Sequence, residues 1–403
     1  MRLAVLTTLV LAVVVSAPPA AAAQAAADLL GGRELHDITL HINSRDWDQL
    51  RATYTENTYY PCDVEWRGVR VRNAGCRSRG LGSRNGVKPG LKIEFGHYVD
   101  GQTFLGLHSL VLDNLWQDPS MIRERLSMLL FERMGLPAPR ESHARLFVGS
   151  GRQYWGVYAV VEDVDKRFID RHYGESGHLY EYRWVDEYHF TDLGPELEPY
   201  AVRFEPRMRT RESAYSLFAP VRDMVRAVAE SREGALAPAV ERYLDLSDVL
   251  TYVATENFLA EQDGFLGLQG MNNFYLYLRD GNNGGELIPW DKDQTMMWLE
   301  MPPWYNVERN PLMQRVWATP ELRQSYLQKV LKATEWAGWL AAEVERAYAE
   351  IREAVLADPV KPTSNAEFEA AVGHIRTFAR QRAAIVRDYL SSVGVVGRSP
   401  AVQ

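Results

Sequence analysis

Apolar and polar residues alternate along several short segments in the first half of the chain. Such segments lie at 36–42, 90–95, 144–148 and 156–161. A period of two places successive side chains on opposite faces of an extended strand, so it indicates half-buried β-strands. The first half of the chain is therefore predicted to be mainly β-structure.

Helical spacing of apolar residues predicts one helix within this β-rich part and several after it. Asp118 is a suitable N-cap, Pro119 suits the first helical position, and the pattern stops at Gly135. From about Asp165 onward the helical period dominates. The segment 184–211 fits neither period and is interpreted as an irregular insertion. The long amphipathic helices predicted in the second half are 213–231, 246–261, 322–348 and 365–393.

The first 23 residues have the features of a secretory signal peptide. Arg2 precedes an apolar run at 3–15, and alanines at 21–23 supply small residues for cleavage. The run is too short to cross a bilayer and no second one follows, so we expect a secreted or extracytoplasmic protein with no membrane span. Loss of Arg2 changes the formal charge from −8 to −9, which disfavours nonspecific binding of nucleic acid.

A β-rich first half and a mainly helical second half predict an α+β fold. About 380 residues remain after the signal peptide, more than one compact core normally holds, so two lobes are expected. We place the N-terminal lobe at 33–162 and the C-terminal lobe at 163–395.

The two cysteines, Cys62 and Cys76, both lie in the exported part of the chain. In an oxidising compartment a disulfide is the default expectation, and here it would join neighbouring strands. Closing such a short loop contributes roughly 3 kcal/mol in the chain-entropy treatment. No further Cys or His accompanies the pair at the spacing of a zinc site.

Oxygen-bearing side chains cluster around a predicted hairpin in the second half. Asn272 and Asn273 open an apolar and aromatic strand, and Asp291 and Asp293 close the strand after it. Asp263 follows a predicted helix just upstream, where an Asp-Gly pair could also simply end that helix. Hard oxygen ligands of this kind suit Mg²⁺ or Mn²⁺ that holds nucleotide phosphates. Asp291 is the principal predicted ligand, and Asp293 is either a helper or a cap.

A basic, glycine-rich segment in the first half supplies possible phosphate contacts. Gly80, Gly82 and Ser83 form a flexible turn whose N–H groups could approach phosphates, and Lys88 and Lys92 follow it. A solvated basic loop is the alternative interpretation. The predicted helix also carries Glu124 and Glu132, which allow a Lys–Glu pair, and Glu162 ends a strand beside a charged turn that either binds a nucleotide or links the lobes.

Other catalytic templates find less support. The chain has no Gly-x-Ser-x-Gly nucleophile elbow, neither cysteine has the setting of a reactive thiolate, and the histidines are scattered without metal spacing. A carbohydrate-active enzyme stays open because the separation of two carboxylates cannot be determined from sequence.

In these motifs, the chain resembles the CotH kinase family, roughly from Asp37 to Asp293. That resemblance implies an atypical protein kinase fold that uses ATP and Mg²⁺ or Mn²⁺. A longer loop between Asp263 and the Asn pair, and the sequence of the glycine-rich turn, depart from the family pattern. The segments that carry the resemblance are 79–84, 118–126, 134–139, 154–168, 263–265, 272–277 and 288–293, with Lys88 and Lys92.

The resemblance implies a role for each predicted site residue. Asp263 would accept the proton of the substrate hydroxyl, Asp291 would be the main metal ligand, and Asn272 or Asn273 would help hold the metal. Lys92 would contact phosphates with Glu124 as its partner, and Glu162 would lie near the nucleotide. The expected activity is phosphorylation of Ser or Thr in extracytoplasmic or coat proteins. The alternative is a catalytically silent coat or adhesion protein with the same fold.

Overall fold

The computed structural model describes residues 26–31, 33–174, 176–232, 234–281 and 284–395. The predicted signal peptide at 1–23 lies outside these residues. Residues 26–31 are helical, and Leu29 and Leu30 are buried in the apolar core of the β-barrel described next.

Seven strands form a closed barrel in the order β1-β2-β3-β4-β5-β7-β6. Parallel pairing of β1 with β6 closes it, and His36 lies opposite Ala144. The period-two segments at 36–42, 90–95, 144–148 and 156–161 lie in β1, β4, β6 and β7, so these strand predictions are confirmed. The strands are β1 His36–Ile42, β2 Tyr60–Trp66, β3 Val69–Arg79, β4 Gly90–Glu94, β5 Ser109–Asp113, β6 Glu141–Val148 and β7 Gln153–Val161.

The two cysteines lie on adjacent strands, as expected, but both are free thiols. Cys62 of β2 pairs with Ala74, and Cys76 of β3 pairs with Tyr60, so the cysteines are diagonal neighbours. A hydrogen bond with Cys76 and burial together raise the pKa of the Cys62 thiol. The two thiols thus lie side by side without an S–S bond, and the structure does not show the predicted disulfide.

A second, four-stranded sheet has the order β11-β10-β8-β9 and is antiparallel throughout. The predicted hairpin is confirmed, with Phe274 of β10 opposite Pro289 of β11. The segment 184–211, expected to be irregular, contributes a short helix and the edge strand of this sheet. The strands are β8 Gly177–Tyr182, β9 Phe204–Pro206, β10 Phe274–Arg279 and β11 Gly285–Pro289.

Helices make up most of the remaining chain, and a 3-10 turn spans Val307–Arg309. Among the described residues, no helix is long and apolar enough to cross a membrane. The helices are α1 Ser44–Ala52, α2 Arg123–Arg133, α3 Lys166–His172, α4 Glu198–Ala201, α5 Ala214–Glu230, α6 Leu236–Val240, α7 Leu246–Leu259, α8 Pro311–Ala318, α9 Pro320–Thr334, α10 Ala337–Leu356 and α11 Asn365–Ser392.

Two helix boundaries differ from the sequence prediction. The helix expected from Asp118 begins at Arg123, because the Asp118 carboxylate accepts hydrogen bonds from the N–H groups of Ile122 and Arg123 and first closes a turn. The single helix expected at 322–348 is two helices, α9 and α10. At their junction the Arg133 guanidinium packs over the Trp336 ring, and its central carbon lies 5.1 Å from the centroid of that ring.

The α+β class is confirmed, but the separation into two kinase-like lobes is not. One apolar core extends from barrel residues such as Val157 and Val161 through α2 to Leu390 in α11. A smaller core fills the barrel interior. Helix α2 contributes eight buried residues and lies against both the barrel and the helical part, so it joins the two. The domain boundary at 162/163 stays a prediction.

Candidate active site

A cavity of about 570 Å³ lies where the barrel meets the second sheet; we call it the central cavity. Its walls contain residues from two predicted groups that are far apart in the chain, namely the glycine-rich turn with Lys92 and the residues around the hairpin. The predicted site residues that line it are Gly80, Gly82, Ser83, Lys92, Asp263, Asn272, Asn273, Asp291 and Asp293.

The end of α7 positions Asp263. Ala260 follows the helix with φ of +53°, a left-handed conformation that turns the chain sharply. At Gly264 an added Cβ would clash with the Glu256 carboxylate, which Lys292 and the Phe265 N–H hold in place, so glycine suits this close approach. The loop carrying Asp263 is therefore folded back tightly against α7.

The two asparagines before β10 hold the Asp263 carboxylate. The Nδ2 of Asn272 donates at 3.2 and 3.1 Å, and the Nδ2 of Asn273 donates at 2.9 Å. Burial raises the pKa of Asp263, and the hydrogen bonds from the asparagines oppose that rise. The carboxylate is thus fixed in orientation and more basic than a solvated aspartate, as a proton acceptor requires.

Lys292 ties this loop to the strands beneath it. Its buried Nζ donates to Glu256 at 2.7 Å and to the Asn273 carbonyl at 2.8 Å. Burial alone would lower the pKa of Lys292, but Glu256 and Glu261 raise it above its ordinary value. Lys292 has no role predicted from the sequence. Its position between two predicted metal ligands at the end of a buried strand was the available signal.

Asp291 and Asp293 follow β11 and face the cavity. Asp291 has φ of +51°, which aspartate adopts more readily than most residues. Burial and the nearby Asp113 carboxylate raise the pKa of Asp291 to about 7, against the opposing effect of Arg79. Burial and Asp291 also raise the pKa of Asp293. The chain after Asp293 forms turns and no helix, so Asp293 is not a helix cap.

The residues present fit a divalent cation that arrives with a phosphate ligand. Among the described residues, no three Asp, Glu, His or Cys side chains form a ready metal cage. Mg²⁺ commonly takes only one or two carboxylates and completes its shell with waters and phosphate oxygens. Asp291 and Asp293 provide such carboxylates. Burial and, after it, the neighbouring carboxylates raise their pKa values, and a bound cation would offset both effects.

Lys92 faces the cavity from β4, but its partner is Asp163 and not Glu124. Ser109 also donates to Asp163, at 2.6 Å. Although burial would raise it, these contacts lower the pKa of Asp163 to about 2. Glu124 is buried in α2, where burial and Glu141 raise its pKa. The pairing differs because β5 lies between β4 and β7, and the chain leaving β7 brings Asp163 to Lys92.

Lys88, Glu124 and Glu162 do not line the central cavity. The Lys88 ammonium is completely buried and pairs with Asp358 at 2.9 Å. Glu162 pairs with Arg140 at 2.8 Å and with Arg171 at 2.7 Å. The structure therefore places these three side chains away from the cavity and in contact with other groups of the protein, and their predicted contact with a ligand stays a prediction.

Several cavity residues had no predicted role. Arg79 lies 3.6 Å from Asp113 and packs over the Trp290 ring at 5.4 Å. Arg207 lies 3.5 Å from Glu181 on the wall formed by the second sheet. Arg79 adjoins the glycine-rich turn, which was a usable signal, whereas Arg207 belongs to the segment interpreted as irregular.

Comparison with known proteins matches residues 76–386 to the model of the CotH kinase protein family. The chain belongs to the CotH kinase family. The family match covers the central cavity from the turn at 80–83 to Asp293. The chain is also 26% identical over 368 residues to inner spore coat protein H of Bacillus subtilis (strain 168), an alignment that covers 87% of this chain and 96% of that protein. The resemblance to CotH kinases expected from the sequence is thus confirmed.

Proposed function

We propose that this chain is an ATP-dependent kinase that transfers the γ-phosphoryl group to a Ser or Thr hydroxyl of an extracytoplasmic or coat protein. The observation that carries the proposal is the convergence of the 80–83 turn and Lys92 with Asp263 and Asp291 on one cavity. Membership of the CotH kinase family supports the same class of reaction.

The barrel side of the cavity would bind the phosphates. The turn at 80–83 offers backbone N–H groups, and Gly80 has φ of +108°, which favours glycine. Lys92 and Arg79 supply positive charge beside it. Such groups stabilise the charge spread over the transferring phosphoryl oxygens.

The opposite side of the cavity would hold the cation. Asp291 is the main proposed ligand, with Asp293 and the side-chain oxygens of Asn272 or Asn273 as helpers. A bound Mg²⁺ or Mn²⁺ would neutralise phosphate charge during transfer.

Asp263 would act as the proton acceptor. The substrate hydroxyl oxygen forms a bond to the γ-phosphorus while the bond from that phosphorus to the bridging oxygen of ADP breaks. The hydroxyl proton passes to Asp263, whose orientation Asn272 and Asn273 fix.

The site of action proposed here is outside the cytoplasm. The sequence pattern at 1–23 favours export, and the similar Bacillus subtilis protein is described as an inner spore coat protein. A protein substrate in the same compartment, a coat or surface component, is the corresponding proposal for the partner.

A catalytically silent coat protein is the second candidate. The name of the Bacillus subtilis relative describes a structural location. The described residues also contain no preformed cage of three metal-binding side chains. The placement of Asp263, Asn272 and Asp291 on one cavity favours the kinase, because a purely structural protein has no need of that set.

Calorimetric titration with ATP tests the proposal. The protein without residues 1–23 is titrated in the presence and absence of Mg²⁺ or Mn²⁺, alongside Asp291→Ala and the control Asp100→Ala, which alters an exposed loop carboxylate. We expect metal-dependent micromolar binding in the wild type and the control, and its loss in Asp291→Ala. A folded wild type that binds no ATP with either metal would favour the silent coat protein.

A further inference from the structure

The connection between α10 and α11 reaches into the barrel. Asp358, two residues after α10 ends at Leu356, packs directly against β7 at Gly156. A Cβ added at Gly156 would lie 2.4 Å from Asp358 Oδ2, and Gly156 has φ of +103°. The backbone of β7 is thus shaped to admit this carboxylate.

Asp358 is held by backbone and by one buried cation. Its Oδ2 accepts from the Val157 N–H at 2.9 Å and from Lys88 Nζ at 2.9 Å, and its Oδ1 accepts from the Val360 N–H at 2.9 Å. The side chains of Lys88 and Asp358 are both 0% exposed. Because both side chains are shielded from solvent, each ion fixes the position of the other.

A continuous set of hydrogen bonds links Lys88 to the phosphate-binding turn. Asn114, itself buried, donates through Nδ2 to the Lys88 carbonyl at 2.8 Å and to the Ser83 carbonyl at 3.0 Å. Asn85 accepts from the Lys88 N–H at 2.8 Å and donates to the Ser83 carbonyl at 2.9 Å. Ser83 lines the central cavity. The path therefore runs from the α10–α11 connection to the cavity wall.

We propose that Asp358 is a positioning residue for the 80–83 turn, so that the α10–α11 connection sets the affinity of the site for phosphate-bearing ligands. This inference rests on the proposed nucleotide-binding function. Backbone N–H groups bind phosphate well only when they are held in place beforehand, because ordering them at the moment of binding costs affinity. Lys88, predicted from sequence as a direct ligand, acts through this path instead.

Replacement of Asp358 by Asn in the full-length mature protein tests the inference. The new amide places a poorer partner beside the buried Lys88 ammonium, so the anchor of the turn is lost. We expect the dissociation constant of ATP with Mg²⁺ to rise about tenfold. Hydrogen exchange should accelerate at residues 80–88, and kcat should stay close to the wild-type value while KM rises.

Glu350→Gln is the matched control. Glu350 lies on the same helix, α10, and is a buried carboxylate that pairs with Arg125 at 3.3 Å and with Arg346 at 2.7 Å. Within the described part of the chain its hydrogen bonds go to Arg125, Arg346 and His143, and none of these leads to the 80–83 turn. This variant should lower the melting temperature but leave both the exchange at 80–88 and the ATP affinity unchanged.

The outcomes separate this inference from the proposed function. Wild-type ATP affinity in folded Asp358→Asn, or equal acceleration at 80–88 in Glu350→Gln, would show that Asp358 has only a structural role. If the wild type itself binds no ATP, the proposed function fails, and the exchange at 80–88 still decides whether Asp358 holds the turn. If Asp358→Asn does not fold, Lys88→Met applies the same test from the other end, because Asp358 keeps its two backbone donors.

Discussion

Asp263 and Asp291 face the same cavity, yet their surroundings suit them to different tasks. Asp263 accepts three side-chain hydrogen bonds from the adjacent asparagines, which orient it. Asp291 lies among other carboxylates, and its pKa rises to about 7, first through burial and then through Asp113. An oriented carboxylate serves proton transfer, whereas a crowded one favours a cation.

Asp263→Asn should separate catalysis from binding. The amide keeps the size of the side chain but cannot accept the hydroxyl proton, so self-phosphorylation and ATP hydrolysis should fall by about 10²- to 10⁴-fold. ATP affinity should stay near the wild-type value, because Asp263 is not a proposed ligand of the nucleotide. Transfer of radiolabelled γ-phosphate and calorimetry measure the two effects.

The control for this change is Asp100→Asn, an exposed aspartate in the loop after β4. It should match the wild type in both measurements. Undiminished phosphate transfer by a folded Asp263→Asn protein would remove Asp263 from the proposed role of base.

At the scale of secondary structure, the junction of α7 with the β10–β11 hairpin positions Asp263, the two asparagines and Asp291 at the cavity. Lys292 after β11 and Glu256 in α7 make a buried ion pair, and Lys292 also binds the Asn273 carbonyl before β10. Removal of one partner from a buried pair of this kind strongly destabilises the folded protein, since the other partner is left as an uncompensated charge.

Lys292→Met should therefore lower the free energy of unfolding by about 3–5 kcal/mol. The double variant Lys292→Met with Glu256→Gln should recover part of that loss, because Glu256 is then no longer a buried charge without its partner. Urea denaturation of the wild type, both single variants and the double variant gives the coupling free energy.

A surface pair provides the comparison for that cycle. Lys166 and Asp170 form an exposed pair four residues apart in α3 at 2.7 Å. Lys166→Met should change the free energy of unfolding by less than about 1 kcal/mol. Equal effects of Lys166→Met and Lys292→Met would contradict the structural role given to the buried pair.

The elements themselves were predictable where local signals agree with the final packing. The period-two strands of the barrel and the β10–β11 hairpin are confirmed. Their apolar residues are buried as the alternation predicts, although in β4, β7, β10 and β11 most of the other face is buried as well. The break between α9 and α10 was missed, since the packing of Trp336 against Arg133 brings together residues about 200 positions apart. No local pattern carries such a contact.

Across the whole molecule, buried carboxylates near the cavity make stability depend on pH. Burial raises the pKa of Glu261 to about 8 from an ordinary 4.5, and that of Asp291 to about 7 from 3.8. Between pH 4 and 8 the folded state therefore binds protons that the unfolded state has lost, so stability falls as pH rises. Asp163 and Glu350, each with a pKa of about 2, contribute stability that is lost only as pH falls below 4.

The metal-free protein should thus be most stable near pH 4–5 and lose stability progressively as the pH rises to 8.5. Urea denaturation at several pH values measures this slope. Glu261→Gln should flatten the upper part of the profile, because glutamine mimics the protonated acid. Stability that increases from pH 5 to pH 8.5 in the wild type would contradict the prediction, as would an unchanged slope in Glu261→Gln.

The sequence by itself determined the α+β class, the barrel strands β1, β4, β6 and β7, the hairpin and the membership of the CotH kinase family. It also indicated that Asp263, Asn272 and Asp291 come together, because they are close in the chain and lie on either side of one hairpin. These features follow from side-chain periodicity and short-range geometry.

Only the tertiary structure decided which distant groups became partners. Lys92 pairs with Asp163 and not with Glu124, Lys88 with Asp358, and the two cysteines stay thiols. Each outcome depends on strand order, on register and on the path of the chain between elements. Sequences with the same pattern could differ in all three. Closure of the barrel and docking of the helices decide which charged groups become partners, and the pattern of residues along the chain records neither.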